Sequence, residues 1–452
     1  MNKELIEGRP MSVILKFTIP LLIGNIFSQL YNMADTIIVG RFVGQNALAA
    51  VGSTGTIMFL VQGLATGLTT GFTVLTSQRY GAEDRKGTKK SVANGGLLAI
   101  IIIVFFTLFS ILFMKPVLKL MNTPAEIFDE AYTYITIICM GIICTVYYNY
   151  FSSLMRAVGN SKTPLVFLVF SACLNVFLDL IFIVNFHMGV AGAAIATDIA
   201  QGLSAVLSLF YILWKMKYLV PEKGMWHIEK NNTIQQLKIG VPMALQFGIT
   251  ASGTMIMQTA INGFGSVAVA SYTAACKIQN ILMQGHYSLG QTMASYGGQN
   301  YGYGSESRIR KGVRAALVIA ILYSIFVALL SLPILKPLMG LFFQKGADLK
   351  GMMPYAVIYT RLCMIFYVPL GMIFIFRNIM QGCGYGLLPM AGGIVELICR
   401  LSMAIFSMHF HSYTMAAFCD PFAWIGAGLF TAIAYLFVIK KVHKDLSNEK
   451  GL

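Results

Sequence analysis

The chain has 452 residues, of which 57% are hydrophobic and only 11% charged. Soluble domains carry about 25% charged residues, so this composition excludes a soluble enzyme, a disordered chain and a coiled coil, and leaves a multi-span membrane protein. The formal net charge of +15 would suit a nucleic-acid binder, but its periodic distribution points to membrane topology instead, and no nucleic-acid partner is expected.

A spanning helix needs about 20 apolar residues, or up to about 25 when tilted. Twelve apolar segments follow one another, centred near residues 26, 62, 104, 144, 174, 201, 249, 283, 323, 367, 400 and 426. The first, from about Met11 to Val39, is too long for the apolar region of a cleaved signal and is read as a span carrying Pro20 and Asp35. Pro20 lacks a backbone donor and is expected to mark a bend in span one or, alternatively, to start that helix. Span two places Gly63, Gly67 and Gly71 on one face, a stripe read as close helix packing. Span four holds Tyr147, Tyr148 and Tyr150, and span five ends Leu174-Asn175-Val176-Phe177-Leu178-Asp179. Span six opens on the small residues Gly189 to Ala194 and then presents Thr197 and Asp198. A polar stretch from Lys215 to Lys238 follows. Span eight carries the isolated cation Lys277, and span eleven carries Glu396 and Arg400.

Alternate sides of these spans differ in charge. One set of loops holds only Arg41, Lys115, Lys119, Lys336, Lys345 and Lys350, while Lys277, Arg361 and Arg400 lie inside spans. The rest of the 33 Lys and Arg fall on the other side, including Arg79, Arg85, Lys86, Lys89 and Lys90, and later Arg308, Arg310, Lys311 and Arg314. Basic loops stay cytoplasmic, so a multi-pass protein of the cell membrane with both termini cytoplasmic is expected.

The two halves repeat. Ile19-Pro20 returns as Val241-Pro242, Gln62-Gly63 as Gln284-Gly285, and Gln78-Arg79-Tyr80-Gly81 as Gln299-Asn300-Tyr301-Gly302. Met155, Gly159 and Pro164 return as Met380, Gly384 and Pro389. The offset stays near-constant, at about 220 residues, which marks an internal repeat. Six spans per copy make the copies parallel. The expected fold is therefore an all-α polytopic protein with twelve transmembrane helices in two pseudo-symmetric six-helix lobes around a central cleft. Its expected divisions are an amino-terminal lobe over 1–214, a cytoplasmic linker over 215–238, a carboxy-terminal lobe over 239–440 and a cytoplasmic tail over 441–452. Such a repeat suits alternating access by a monomer, since one chain supplies both lobes. No G-x-x-x-x-G-K-[ST] motif occurs, so energy is expected from an ion gradient rather than ATP.

Four carboxylates lie within spans: Asp35, Asp179, Asp198 and Glu396. An ionised carboxylate at the bilayer centre costs about 2.5–3.5 kcal/mol, so each should face a cavity or a partner. Glu396 and Arg400, spaced i, i+4 with the glutamate first, read as an intrahelical ion pair. The other three have no cation in their own spans. Asn175 and Asp179 share a helix face, and amide and hydroxyl oxygens near carboxylates suit either a monovalent cation or a proton. Each charge crossing the field is worth about 2.3 kcal/mol per 100 mV, and each pH unit about 1.4 kcal/mol.

The stretches Ile19-Pro20-Leu21-Leu22 to Met33-Ala34-Asp35-Thr36, Gln78 to Gly81, and Met155-Arg156-Ala157-Val158-Gly159-Asn160-Ser161-Lys162-Thr163-Pro164 make the chain resemble the multidrug and toxic compound extrusion (MATE) transporters over nearly its whole length. The resemblance implies a V-shaped cavity and antiport of drugs against H+ or Na+. It puts Asp35, Asn175, Asp179 and Thr197 in the amino-lobe polar cluster of the DinF-like subgroup. Asp198 is extra to that pattern and is kept as a candidate for the same cation-coupling site. The NorM-like subgroup adds acidic residues in helices seven and ten, whereas Met243 to Thr250 and Pro369 to Ile373 have none.

The 26 methionines, 31 phenylalanines and 21 tyrosines offer soft, flat surfaces to varied ligands, and Tyr147, Tyr148, Tyr150 and Lys277 are candidates for the substrate cleft. The expected partners are a small organic, cationic substrate, the coupling cation and the lipid bilayer. No cofactor, metal site or enzymatic activity is expected: the eight cysteines form no C-x-x-C, and His409 and His411 have no third ligand in reach. A flippase for lipid-linked intermediates or polysaccharides is the alternative, and it would need a cleft dominated by cations.

Overall fold

The computed structural model describes residues 5–121, 123–342 and 349–450. The first half contains α1 (Pro10–Phe42), α2 (Gln45–Gly81), α3 (Arg85–Leu120), α4 (Ala125–Met140), α5 (Ile142–Ala157), α6 (Lys162–Asp179), a π turn over Leu180–Asn185, and α7 (Gly189–Lys215). Two short turns, Lys217–Leu219 and Lys223–Met225, lead to α8 (Lys230–Asn262), α9 (Ser266–Leu282), α10 (Gln284–Gly302) and α11 (Glu306–Phe342). The chain closes with α12 (Leu349–Ile365), α13 (Tyr367–Gly382), α14 (Leu387–Phe410), α15 (Tyr413–Ala417) and α16 (Cys419–Lys450). Lys345 and the last two residues of the expected tail lie outside the described residues.

Helices dominate because a bilayer offers no water to satisfy backbone N–H and C=O groups. Among the described residues, nine helices are long and apolar enough to span, and two bent pairs bring the number to 11. The pairs are α4 with α5, bent by 47° at Gly141, and α12 with α13, bent by 53° at Phe366. The remaining expected span, span eight, corresponds to α9 and α10, the repeat partners of α2. It breaks at Met283, and α10 carries Gln284, His286, Ser288, Thr292, Gln299 and Asn300, too polar for a lipid-facing helix. Those six side chains are buried within the protein, except Gln284.

The repeat is also written in the backbone. Positive φ occurs at Gly44 and Gly265, at Glu83 and Gly304, at Gly159 and Gly384, and at His187 and His411. Each pair stands at the repeat offset. Gly159 and Gly384 end α5 and α13 with φ of 92° and 94°, a left-handed conformation that glycine adopts without a Cβ clash. Asn160 then donates its N–H to Met155 O at 2.9 Å, as Tyr385 does to Met380 O at 3.0 Å. The repeated Met and Gly of the sequence are therefore parts of one helix-ending device. Asp84 caps α3 by accepting from Gly87 N at 2.8 Å.

The described residues form two compact units, one within 19–244 and the other comprising 5–18 with 245–342 and 349–450. Both boundaries fall inside helices, α1 and α8, close to Pro20 and Pro242. Pro20 lies well inside α1, which begins at Pro10, so it does not start that helix. Within the first unit, the opening half of α8 crosses α2 where the glycine stripe lies. A Cβ on Gly67 would stand 2.6 Å from Ala244 Cα, and one on Gly71 2.3 Å from Gly240 Cα. The same half of α8 presents Gln236, whose amide donates to Phe72 O at 3.1 Å and Ser91 O at 2.9 Å and accepts from Asn94 at 2.7 Å. Within the second unit, Arg308 donates to Leu5 O, Glu7 O and Gly8 O, and Thr18 meets Thr292 at 2.8 Å.

Gly71→Ala should destabilise the purified protein by about 1–3 kcal/mol, because the added methyl meets backbone rather than a side chain that could move. Gly52→Ala, on the same helix with nothing within 4 Å of its Cβ, should leave the melting midpoint unchanged or slightly raised. Equal midpoints for native protein and Gly71→Ala would contradict the close crossing.

Candidate functional site

Four helices of the first unit assemble a polar cluster. Asp35 stands half-buried in the second half of α1, and Asp179, fully buried, is the last residue of α6. Their carboxyl groups lie within hydrogen-bond reach of each other. Two carboxyls this close favour a shared proton or a cation over double ionisation. One turn before Asp179, Asn175 donates to Thr197 Oγ1 on α7 at 3.2 Å, and that hydroxyl donates to Ala193 O at 3.0 Å. The π turn after Asp179 shifts the hydrogen-bond register where the carboxylate sits, an irregularity often found at functional sites.

The cluster extends to residues that sequence reasoning missed. Tyr31, one turn before Asp35, bonds Gln201 and feels the charges of Asp35 and Asp179. Tyr134 on α4 is acted on by the same carboxylates. Tyr31 is i−4 to Asp35 and Gln201 is i+4 to Thr197, so helical periodicity alone could have found both.

Asp198 also acts on Tyr134, but it packs against a different neighbour. Its carboxylate fills the notch at Gly141, where an added Cβ would lie 2.0 Å from Oδ2. It therefore packs into the bend between α4 and α5, one helical step from Thr197 but on another face of α7. The three tyrosines of α5 also diverge. Tyr148 is the one that acts on Tyr31. Tyr147 stacks on Phe151 with ring centroids 5.4 Å apart. Tyr150 is buried in the core and donates to Val92 O at 2.7 Å. Lys277 is exposed on α9, in the second unit.

The second unit holds a different polar centre. Arg400 Nη2 meets Glu396 Oε1 at 2.7 Å, the pair expected from the i, i+4 spacing, and Arg400 Nε meets Asp420 Oδ1 at 2.9 Å. Tyr359 donates to Asp420 Oδ2 at 3.1 Å. All three charged residues are buried. Gly253 makes room for the guanidinium, since a Cβ there would stand 2.7 Å from Nη1. Asp420 opens α16 in Cys419-Asp420-Pro421, a position that reads in sequence as a loop. At the repeat offset of Gly159 and Gly384, Arg400 stands where Asn175 stands in the first half. The first cluster thus brings two carboxyls together, and the second joins two carboxylates to one guanidinium.

All eight cysteines are free; Cys139, Cys363, Cys383 and Cys419 are buried, whereas Cys173 is exposed. His411 ends α14 in the left-handed conformation and its ring lies 5.3 Å from that of Phe264.

Two successive matches to the MatE family model cover residues 20–181 and 242–406, one in each half of the repeat. The chain belongs to the MATE family. The family consists of membrane transporters, so this is a multi-pass membrane protein of that kind rather than an enzyme. A relative from Bacillus subtilis described as a probable multidrug resistance protein, YpnP, is 30% identical over 67% of this chain and 68% of its own. An FAD transporter from Shewanella oneidensis is 23% identical over 86% of this chain and 85% of its own. The crystal structure of a MATE protein in complex with MaL6 superposes with a TM-score of 0.91 at 22% identity, covering 98% of this chain and 99% of that one. The two-lobe helical fold is thus the MATE fold.

Arg400→Met should destabilise this MATE protein by about 3–5 kcal/mol, because it strands two buried carboxylates. Combining it with Glu396→Gln and Asp420→Asn should recover much of that loss. A purified single variant that melts with the native protein would show that the triad carries no buried charge.

Proposed function

We propose that this chain is a cation-coupled antiporter, driven by H+ or Na+, that exports small organic and predominantly cationic drugs or metabolites by alternating access. It works as a monomer in the cell membrane with both termini cytoplasmic. The observation that carries this reading is the contact between Asp35 and Asp179 on α1 and α6 inside an apolar helix bundle. Two carboxyls in contact repel when both are ionised, so they gain and lose one positive charge together. Asn175 and Thr197 supply neutral oxygens beside them. In this reading the cation neutralises the pair from one side of the membrane, and the organic cation replaces it from the other. The names of relatives, a probable multidrug resistance protein and an FAD transporter, support export while leaving the substrate class broad. Asp198, set against Gly141, stands outside the exchanging pair.

The test uses purified protein in liposomes with a fluorescent organic cation and an imposed pH or sodium gradient. The native protein should follow one gradient, which names the ion. Asp35→Asn and Asp179→Asn should each lower gradient-driven transport by at least about tenfold, the factor in equilibrium that one pH unit, about 1.4 kcal/mol, represents. Asp198→Asn should retain the gradient response. Unchanged coupling in Asp35→Asn would remove the pair from the mechanism. A native protein that moves no organic cation under either gradient would favour lipid-linked substrates.

A further inference from the structure

The first unit contains an apolar cavity of about 540 Å³ that the coupling site does not use. Its walls come from α3, α5 and α7, with residues 219–226 closing one end. Gly96, Tyr147, Leu154, Gly202, Leu209 and Trp226 typify the lining, which contains no charged side chain. Tyr150 also lines it, but its hydroxyl is already bonded to Val92 O. One side is formed by side chains on the exposed surfaces of α5 and α7, among them Ile143, Val206 and Leu213. Large apolar side chains exposed on membrane-spanning helices suit acyl chains better than water.

The segment that closes the cavity has a distinctive charge pattern. Between residues 213 and 226, lining residues alternate with Lys215, Lys217 and Lys223, all exposed. The nearby acids are already engaged by α3. Glu222 accepts from Lys89 at 2.9 Å, which holds its carboxyl below the ordinary range, and Glu229 accepts from Lys90 at 3.4 Å. Among the described residues, Lys215, Lys217 and Lys223 have no ion pair. Trp214 is 81% exposed and Trp226 53% exposed. Exposed tryptophans at helix ends settle at the headgroup level, which puts the three lysines at the depth of lipid phosphates.

We propose that this cavity is a binding site for an anionic phospholipid, with one acyl chain in the cavity and the phosphate at Lys215, Lys217 and Lys223. The absence of any acid in the lining sets it apart from a site for the organic cation. Basic pockets between helices recognise anionic headgroups in this way, each lysine near the surface contributing about a fivefold gain. The proposal does not depend on the coupling role of Asp35 and Asp179.

Native mass spectrometry of the purified protein, titrated with phosphatidylglycerol or with phosphatidylcholine of the same chains, tests it. The native protein should retain phosphatidylglycerol at least about fivefold more strongly. The triple variant Lys215→Gln, Lys217→Gln, Lys223→Gln should bind the two lipids alike. Gly96→Leu should lower retention of both, since its Cβ would meet Trp226 at an ordinary 3.6 Å and the added carbons would occupy the cavity. The surface triple variant keeps the test valid if Gly96→Leu folds poorly. Equal retention of both lipids by the native protein would overturn the headgroup assignment. A folded Gly96→Leu that retains lipid as the native protein does would overturn the cavity as the site.

Discussion

A carboxyl group taken out of water must be matched by a cation or a proton, and this requirement organises both units of the protein. In the second unit the match is covalent to the chain. Arg400 reaches Glu396 on its own helix and Asp420 at the start of α16, and Gly253 yields the space for its guanidinium. In the first unit, Asn175 occupies the repeat position of Arg400, and the carboxyls of Asp35 and Asp179 meet each other instead. One difference between the repeats therefore separates a centre with a built-in guanidinium from one in which two carboxyls meet each other. Pairs in the first kind of centre hold helices together, and breaking them is costly. In the proposed mechanism, pairs of the second kind are emptied and refilled.

Close helix packing makes both centres possible. The chain has 43 glycines, and several stand where side chains would block a crossing or a polar group. Gly67 and Gly71 admit α8, Gly141 admits Asp198 and Gly253 admits Arg400. Without water or a hydrophobic force between helices, such small residues are what allows backbones to approach. The same logic explains α10. Its polar residues are tolerated because they are buried within the second unit, where Asn300 meets Leu5 O at 3.0 Å and His286 lies within 3.3 Å of Ser324.

Much of this architecture is legible in the sequence because its causes are periodic. Apolar run length and the bias of basic residues follow from the bilayer, the repeat offset from a duplicated unit, and the Glu396–Arg400 pair from helical spacing. Contacts between helices are less legible. Asp420 joins Arg400 across helices, so nothing local to Cys419-Asp420-Pro421 announces it. Asp198 looks like a neighbour of Thr197 in sequence, yet successive residues on a helix point about 100° apart, and it meets Gly141 instead. The polar α10 defeats a hydropathy rule because that rule assumes contact with lipid. Tyr31 and Gln201 could have been found one helical turn from residues already identified.

The position of the carboxyl pair also matters for motion. Pro20 removes one backbone donor from the interior of α1, upstream of Asp35 on the same helix. The π turn follows directly after Asp179 and changes the hydrogen-bond register of its chain segment. Each carboxyl thus belongs to a segment whose backbone ladder is already interrupted. A change in charge between the two carboxyls alters the force between α1 and the end of α6, where regular helix offers least resistance. The Arg400 centre has the opposite character: its guanidinium is tied to two carboxylates, and its helix, α14, is unbroken from Leu387 to Phe410. Paired carboxyls and an interrupted backbone ladder coincide in the first unit, whereas fixed charge and regular helix coincide in the second.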